Sequence, residues 1–194
     1  MAKKLRPEEW YIEAGEVFTI ALQFRPIFGY TLAGMASEFS EYPAIARMGE
    51  PEPWLPIFTA EAMDDISGVL ADEVFSIFTE LPAGPIEPRV VGCRGENHEV
   101  ILMCDVPQKI RSLHGGIEKA MSRHVRSETR GELWLPHIPL GLGLKARSSY
   151  VPTESIQEWD RIPSGIAIGY PYDAVYFERL AWRESGAEQM KVRA

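Results

Sequence analysis

The sequence predicts an α+β fold made of two similar lobes, each a small antiparallel sheet with helices on its outer face. Short runs rich in β-branched and aromatic residues alternate with stretches whose apolar residues recur at helical spacing. The order strand, helix, strand, helix, strand occurs in each half of the chain. The length of 194 residues and the hydrophobic fraction of 45% suit a single domain built from these two lobes.

The first strand and helix are predicted from residues 16–39. The run EVFTIALQF (16–24) is short and rich in β-branched and aromatic residues, which favours a strand. Pro26 suits the first turn of a helix, where its missing N–H costs nothing. The apolar residues that follow lie on one face of that helix: Phe28, Leu32, Met35 and Phe39.

The rest of the first lobe is predicted from residues 46–81. Prolines and a glycine indicate a loop over 46–54, and WLPIFTA (54–60) predicts a short strand. Apolar spacing predicts a helix over 61–71, and the hydroxyl of Thr59 is placed to cap it. The run EVFSIFTEL (73–81) predicts a further strand.

The second lobe begins with two strands, 87–94 and 98–106, around a short Gly-Glu-Asn turn. A helix follows, in which Gly115 and Gly116 indicate tight packing or a kink. Its apolar stripe is the clearest in the sequence: Ile110, Leu113, Ile117, Met121 and Val125.

The final elements are an apolar strand (132–144), a short helix or turn (155–163) and two closing strands, SGIAIGY and DAVYFERLAWR. We therefore predict one two-lobed domain over 16–182. An N-terminal extension (1–15) precedes it and a C-terminal tail (183–194) follows it.

The net charge of −8 argues against binding to long polyanions such as duplex nucleic acid. Between residues 108 and 130, however, six basic residues against two acidic ones leave a local charge of +4. A solvated helix face explains this best, and a patch for a small phosphate ligand is the alternative. The basic residues are Lys109, Arg111, Lys119, Arg123, Arg126 and Arg130.

Composition also bounds the compartment and the chemistry. No apolar run approaches the ~20 residues that span a bilayer, and no apolar core follows the N-terminal lysines, so a cytoplasmic protein is expected. Cys93 and Cys104 lack CxxC spacing and are interpreted as buried thiols rather than metal ligands. No nucleotide-loop or metalloprotease motif occurs, and neither a metal nor another cofactor is predicted.

The apolar strand ELWLPHIPLGLGL (132–144) contains one histidine, His137. Side chains alternate along a strand, so His137 and Pro139 share one face while Ile138 and Leu140 share the other. The glycines Gly141 and Gly143 allow a backbone or a ligand to approach closely. A lone histidine on such a strand is more often a hydrogen-bonded core residue than a catalyst.

The segment Pro136-His137-Ile138-Pro139-Leu140 resembles the second signature of the 2H phosphoesterase superfamily, Pro-His-x-Thr/Ser-Leu, with Pro139 in place of the hydroxyl. The similar segment in the first half, aligned on Pro56, is Pro56-Ile57-Phe58-Thr59. It keeps the hydroxyl and has Ile57 in place of the histidine. The resemblance covers roughly residues 16–182 and implies two sheets that face a central cleft.

The resemblance also implies roles for particular residues. In this family, one imidazole takes a proton from the attacking oxygen while the other gives one to the leaving oxygen. His137 and Thr59 are therefore the candidate catalytic residues. The candidate substrate-binding residues are Trp134, Pro139, Tyr150 and Lys145. The aromatic ones could stack on bases, although packing explains them equally well.

Two functions follow from these expectations. The first is a phosphodiesterase for a short RNA end or a small cyclic nucleotide, slow because each signature keeps only half of its residues. The alternative is a non-enzymatic module that binds a nucleotide, RNA or a protein through the same cleft. The expected partners are thus short RNA, a small nucleotide or a protein, and neither a membrane nor a long duplex.

Overall fold

A computed structural model describes residues 11–43, 53–79, 84–127, 134–145, 149–151, 156–172, 176–184 and 191–192. The helices are α1 (Pro26–Phe39), α2 (Gly68–Thr79) and α3 (Gln108–Met121), and a 3₁₀ helix covers Glu158–Arg161. The strands are β1 (Tyr11–Ile12), β2 (Val17–Gln23), β3 (Ser40–Pro43), β4 (Trp54–Ala62), β5 (Ile66–Ser67), β6 (Glu87–Arg94), β7 (Glu99–Asp105), β8 (Val125–Ser127), β9 (His137–Leu144), β10 (Ser149–Tyr150), β11 (Gly165–Tyr172), β12 (Tyr176–Glu184) and β13 (Lys191–Val192).

The strands form two main antiparallel sheets. One has the order β10-β6-β7-β9-β3, the other has the order β13-β12-β11-β2-β4-β8, and β1 pairs separately with β5. Although β4 and β9 belong to different sheets, they lie against each other. The predicted α+β fold with two antiparallel sheets is confirmed. Within the described part of the chain, no helix is long and apolar enough to cross a membrane.

One continuous apolar core joins both sheets to all three helices. It contains residues of the six-stranded sheet such as Ile20 and Leu55, and residues of the five-stranded sheet such as Leu102 and Ile138. The helices supply residues such as Phe28, Phe75 and Leu113. Because strand side chains alternate, each sheet presents a second set of side chains away from this core. We call these two surfaces, which lie on the side of each sheet opposite the helices, the outer sheet faces.

Proline interrupts three strands in the same way. The strand register shifts by one residue immediately after Pro56 in β4, after Pro88 in β6 and after Pro139 in β9. Proline cannot donate to the hydrogen-bond ladder of a sheet, and an extra residue beside it relieves the mismatch. The irregularity at Pro139 agrees with the general preference of strand prolines for edges and bulges.

Most of the predicted elements are confirmed. The predicted strands 16–24, 54–60, 87–94 and 98–106 correspond to β2, β4, β6 and β7, and Pro26 is the first residue of α1. The predicted helix stripe after residue 108 is α3, although its last member, Val125, begins β8. Most of the loop predicted over 46–54 lies outside the described residues.

Three neighbouring predictions are wrong. Residues 61–71 do not form one helix, because β4 continues to Ala62 and β5 follows. Thr59 lies within β4 and caps no helix. Residues 73–79 belong to α2 rather than to a strand. The β-branched and aromatic residues there suggested a strand, but Val74, Phe75 and Phe78 reach the core at helical spacing, and packing overrides propensity.

Candidate active site

His137 is the first residue of β9 and lies on the outer face of the five-stranded sheet. Its neighbours Ile138 and Leu140 belong to the main core, so the imidazole is directed the other way. The side chain is buried, with 5% exposed. Nδ1 lies 2.8 Å from the carbonyl oxygen of Leu135, whereas buried Nε2 has no partner among the described residues. Because a carbonyl only accepts, Nδ1 carries the proton and Nε2 is a bare acceptor.

Burial is the main cause that lowers the pKa of His137 from 6.5 to about 4; the nearby positive charge of Arg94 acts in the same direction, and the hydrogen bond to Leu135 opposes both. The imidazole is therefore neutral at neutral pH. Arg94 ends β6 opposite Glu99 of β7, and its Nε donates to the Glu99 carboxylate at 2.5 Å. Sequence analysis missed Arg94, although its place in strand 87–94 was predicted, because its approach to His137 depends on the pairing of three strands.

Thr59 lies on the outer face of the six-stranded sheet, opposite Thr19 of β2. The two hydroxyl oxygens are 2.8 Å apart and form a hydrogen bond. Thr19 is almost fully buried and Thr59 is partly buried. The Thr59 hydroxyl thus already has a partner within its own sheet, and it keeps the capacity for one further hydrogen bond.

The same outer face carries an aromatic pair. The rings of Trp54 on β4 and Phe177 on β12 stack with their centroids 5.0 Å apart. They pack with Ala21 and Ala167 of the two strands between them in a small apolar cluster separate from the main core. Small residues on the central strands leave room for large side chains from the flanking strands. An aromatic pair therefore covers this part of the outer face.

The starts of β4 and β9 correspond to each other. Two segments, Trp54-Leu55-Pro56-Ile57 and His137-Ile138-Pro139-Leu140, each begin a strand. Each has proline in its third position and a register shift immediately after that proline. Leu55 and Ile57 point into the core, as Ile138 and Leu140 do. Trp54 therefore corresponds to His137, and the alignment that put Ile57 there is corrected. Aligning the two segments on their third-position prolines would have revealed this from sequence.

The other predicted site residues lie in different places. Pro139 is buried beside His137 and pairs with Ile101 of β7. Trp134 stacks on His114 of α3 at 4.7 Å, and its Nε1 donates to the carbonyl of Pro56 at 3.2 Å, so it links α3 to β4.

Two of the predicted residues are far from the start of β9. Tyr150 is exposed on β10, which β6 and β7 separate from β9. Lys145 follows the opposite end of β9, and its Nζ donates to the carbonyl of Ser37 in the last turn of α1. The structure therefore does not bring Tyr150 or Lys145 to His137. A cation at the carbonyl end of a helix has a structural role of its own.

The remaining histidines do not supply a second imidazole beside His137. His98 is exposed in the β6–β7 turn, with a positive φ of 51°. His114 is half-buried, and burial lowers its pKa. His124 follows α3 and lies 3.9 Å from Asp64.

The structure also tests the predictions made for the two cysteines and for the basic segment. Cys104 is buried as predicted, but the prediction for Cys93 is wrong, because Cys93 is exposed beside the β6–β7 turn. The basic residues of 109–126 are all exposed on α3 and the segment after it, as a solvated helix face requires, while Arg130 lies outside the described residues.

No protein-family model matches the sequence, and no curated protein matches it. Solved structures do match. E. coli LigT bound to phosphate is similar at a TM-score of 0.58 and 10% identity, over 89% of this chain and 99% of that one. A phosphoesterase structure is similar at a TM-score of 0.59 and 11% identity, over 88% of this chain and 98% of that one. TT0787 of Thermus thermophilus is similar at a TM-score of 0.56 and 13% identity, over 89% of this chain and 100% of that one.

These similar proteins are members of the 2H phosphoesterase superfamily. Further structures of E. coli LigT contain 3'-AMP and NADP+. At 10 to 13% identity the likeness establishes a shared fold over most of both chains. The chain has the fold of the 2H phosphoesterases, as the Pro-His signature of β9 predicted.

Proposed function

We propose that the protein binds a small nucleotide phosphoester between the outer sheet faces at the starts of β4 and β9, and that it hydrolyses such esters slowly. The observation that carries the proposal is the buried Nε2 of His137, which has no hydrogen-bond partner among the described residues. A histidine kept only for packing normally has both nitrogens paired. An unpaired acceptor held in one tautomer is instead suited to receive a hydroxyl proton from a ligand.

Electrostatics support an anionic ligand. The guanidinium of Arg94 is half-exposed close enough to His137 to affect its pKa. A guanidinium forms strong, charge-assisted hydrogen bonds to phosphate oxygens. The solved LigT structures with phosphate and with 3'-AMP show that this fold accommodates such ligands in a similar protein.

The low rate of hydrolysis that we propose follows from the residues at the two signature positions. Phosphodiester hydrolysis gains from one group that takes a proton and a second that gives one. At the corresponding place in β4 the chain has Trp54, and Pro56 and Pro139 stand where hydroxyls would act. Each general acid or base typically supplies about 10²–10⁴ in rate, so a lone imidazole leaves a slow enzyme.

A second candidate function is non-enzymatic binding of a nucleotide, RNA or protein through the same surfaces. The stacked Trp54 and Phe177 favour it, because they occupy the place from which a second catalytic group would act. Under this candidate His137 accepts a hydrogen bond from the ligand and transfers no proton.

The test combines calorimetry with a turnover assay on a 2',3'-cyclic nucleotide. We expect measurable binding at low salt, slow turnover, and loss of both in His137→Ala. Brisk turnover that survives His137→Ala contradicts the proposed role of His137. Binding without any turnover selects the non-enzymatic candidate, and no binding at all excludes both.

A variant that introduces the missing histidine and hydroxyls tests the proposed correspondence between the starts of β4 and β9. Trp54→His combined with Pro56→Thr and Pro139→Thr should raise kcat far more than it tightens binding, because the new groups act on the transition state. The control replaces Ile57→His instead of Trp54→His. Ile57 lies in the core, so the control should gain no activity and should lose stability.

A further inference from the structure

We propose that the protein has a second anion site, for a phosphate group, in a pocket at the ends of β2, β11 and β12. The pocket has a volume of about 180 Å³. Its walls include Gln23 at the end of β2, Ser164 just before β11, and Trp182 and Arg183 near the end of β12. None of its described lining residues belongs to the five-stranded sheet, which carries His137, and Gln23 is the lining residue that pairs with Trp54 of β4.

The charged side chains that line the pocket are positive among the described residues. Arg179 and Arg183 line it and no described acidic residue does, although the chain as a whole carries a net charge of −8. The carboxylate of Asp72 lies 3.6 Å from Arg183, but it is more than half exposed and neutralises the guanidinium only weakly. A concentration of positive charge in a concave site favours an anion.

Arg183 also has an unused donor. Its guanidinium packs over the ring of Phe75 at 5.2 Å, which holds the side chain in place. Its Nε–H is buried and has no acceptor among the described residues. A buried donor without an acceptor is costly, and the oxygen of a bound anion is the kind of group that satisfies it.

Contacts with Gln23 and Trp182 help to orient Arg179. Its Nη1 donates to Oε1 of Gln23 at 3.1 Å, and its guanidinium lies 4.7 Å from the ring centre of Trp182. Contact with an indole ring and with an amide oxygen restricts the positions that a guanidinium can adopt. Less conformational entropy is lost when a side chain oriented in this way contacts a ligand.

The start of α1 contributes to the same pocket through Phe24 and Pro26. No side chain caps this helix, and no acidic residue occupies its first turn. The positive end of the helix dipole is therefore not offset locally. Together with the two guanidinium groups, it provides several donors for the oxygens of a phosphate group, while the Ser164 hydroxyl donates to the carbonyl of Gln23 at 3.3 Å.

The test follows the side-chain Nε–H signals of arginine by NMR in the full-length protein during titration with inorganic phosphate. We expect the Arg183 signal to shift and saturate. Arg183→Gln should weaken phosphate binding measured by calorimetry by about ten-fold or more. Ser164→Asp, which keeps both arginines and adds a negative charge, should abolish it.

Two control variants separate this site from other effects. Arg111→Gln removes one positive charge from the exposed face of α3 and should leave phosphate binding unchanged. His137→Gln should remove nucleotide binding at the outer sheet faces and leave the Arg183 shift intact, so the two proposals fail separately. An Arg183 shift of equal size with sodium chloride at the same ionic strength overturns the proposal. So does phosphate binding that survives Ser164→Asp.

Discussion

The residue on which the proposed chemistry depends, His137, is also one whose protonation changes on folding. Its pKa falls from 6.5 to about 4, with burial as the main cause. Between these pH values the unfolded chain binds a proton that the folded chain does not. The free energy of unfolding therefore falls as the pH falls from 6.5 to about 4. The loss should reach roughly 3 kcal/mol, and urea unfolding across this range measures it.

His137→Gln is the control for this pH dependence, because it removes the titrating group and keeps a polar side chain. Carboxylates titrate in both proteins, so the difference between the two pH profiles isolates His137. Identical profiles, or an imidazole NMR signal that titrates near 6.5 in the native protein, would contradict the lowered pKa.

The Thr19–Thr59 pair makes a second prediction at the scale of single residues. Thr59→Val leaves the buried hydroxyl of Thr19 without its partner, which should cost about 1–3 kcal/mol. The double variant Thr19→Val/Thr59→Val removes both hydroxyls and should be more stable than Thr59→Val alone. Urea unfolding of the four proteins completes the cycle. Costs that simply add would show that the hydrogen bond contributes little.

At the scale of elements, β9 depends on a close approach to β3. A Cβ added at Gly141 would lie 2.5 Å from the carbonyl oxygen of Tyr42 and would also clash with the Ser40 hydroxyl. The predicted close backbone approach at Gly141 is thus confirmed. Gly141→Ala should destabilise the protein by about 1–3 kcal/mol, because the two strands must separate to make room.

Gly92→Ala provides the matched control for this prediction. Gly92 also lies inside a strand, β6, but a Cβ there meets no atom within 4 Å. This change should be neutral, or stabilising by up to about 1 kcal/mol, since alanine restricts the unfolded chain. Equal losses of stability in the two variants, measured by urea unfolding, would contradict the steric argument.

Sequence alone was sufficient to predict the strands and helices whose local residue preferences agree with their packing in the core. The strand β2, the Pro26 start of α1 and the hairpin of β6 and β7 were all predictable from composition and spacing. The region of α2 was not, because β-branched and aromatic residues favour a strand locally while the core requires a helix there. The candidate site was predictable only at His137. The approach of Arg94 and the correspondence of Trp54 depend on strand register, which local signals do not determine.

At the scale of the whole molecule, both sheets and all three helices share one core. We therefore expect a single cooperative unfolding transition, with equal calorimetric and van't Hoff enthalpies. Gly141→Ala, in the five-stranded sheet, should reduce the hydrogen-exchange protection of Ile20 in the other sheet as much as that of Leu102 in its own. Protection lost only in the five-stranded sheet would show that the lobes unfold separately.

The two signature prolines have a consequence for how strands associate. Among the described residues, β8 pairs with β4 from Ala60 onward and β3 pairs with β9 from Gly141 onward. β4 and β9 lie against each other, and in the first half of each strand the described residues supply a strand partner at one edge only. Pro56 and Pro139 sit in these two edges and supply no amide hydrogen. A strand that approached either edge would lack a backbone donor at these positions. The two prolines therefore disfavour pairing of β4 with β9 into one continuous sheet, and they disfavour edge-to-edge aggregation with another molecule.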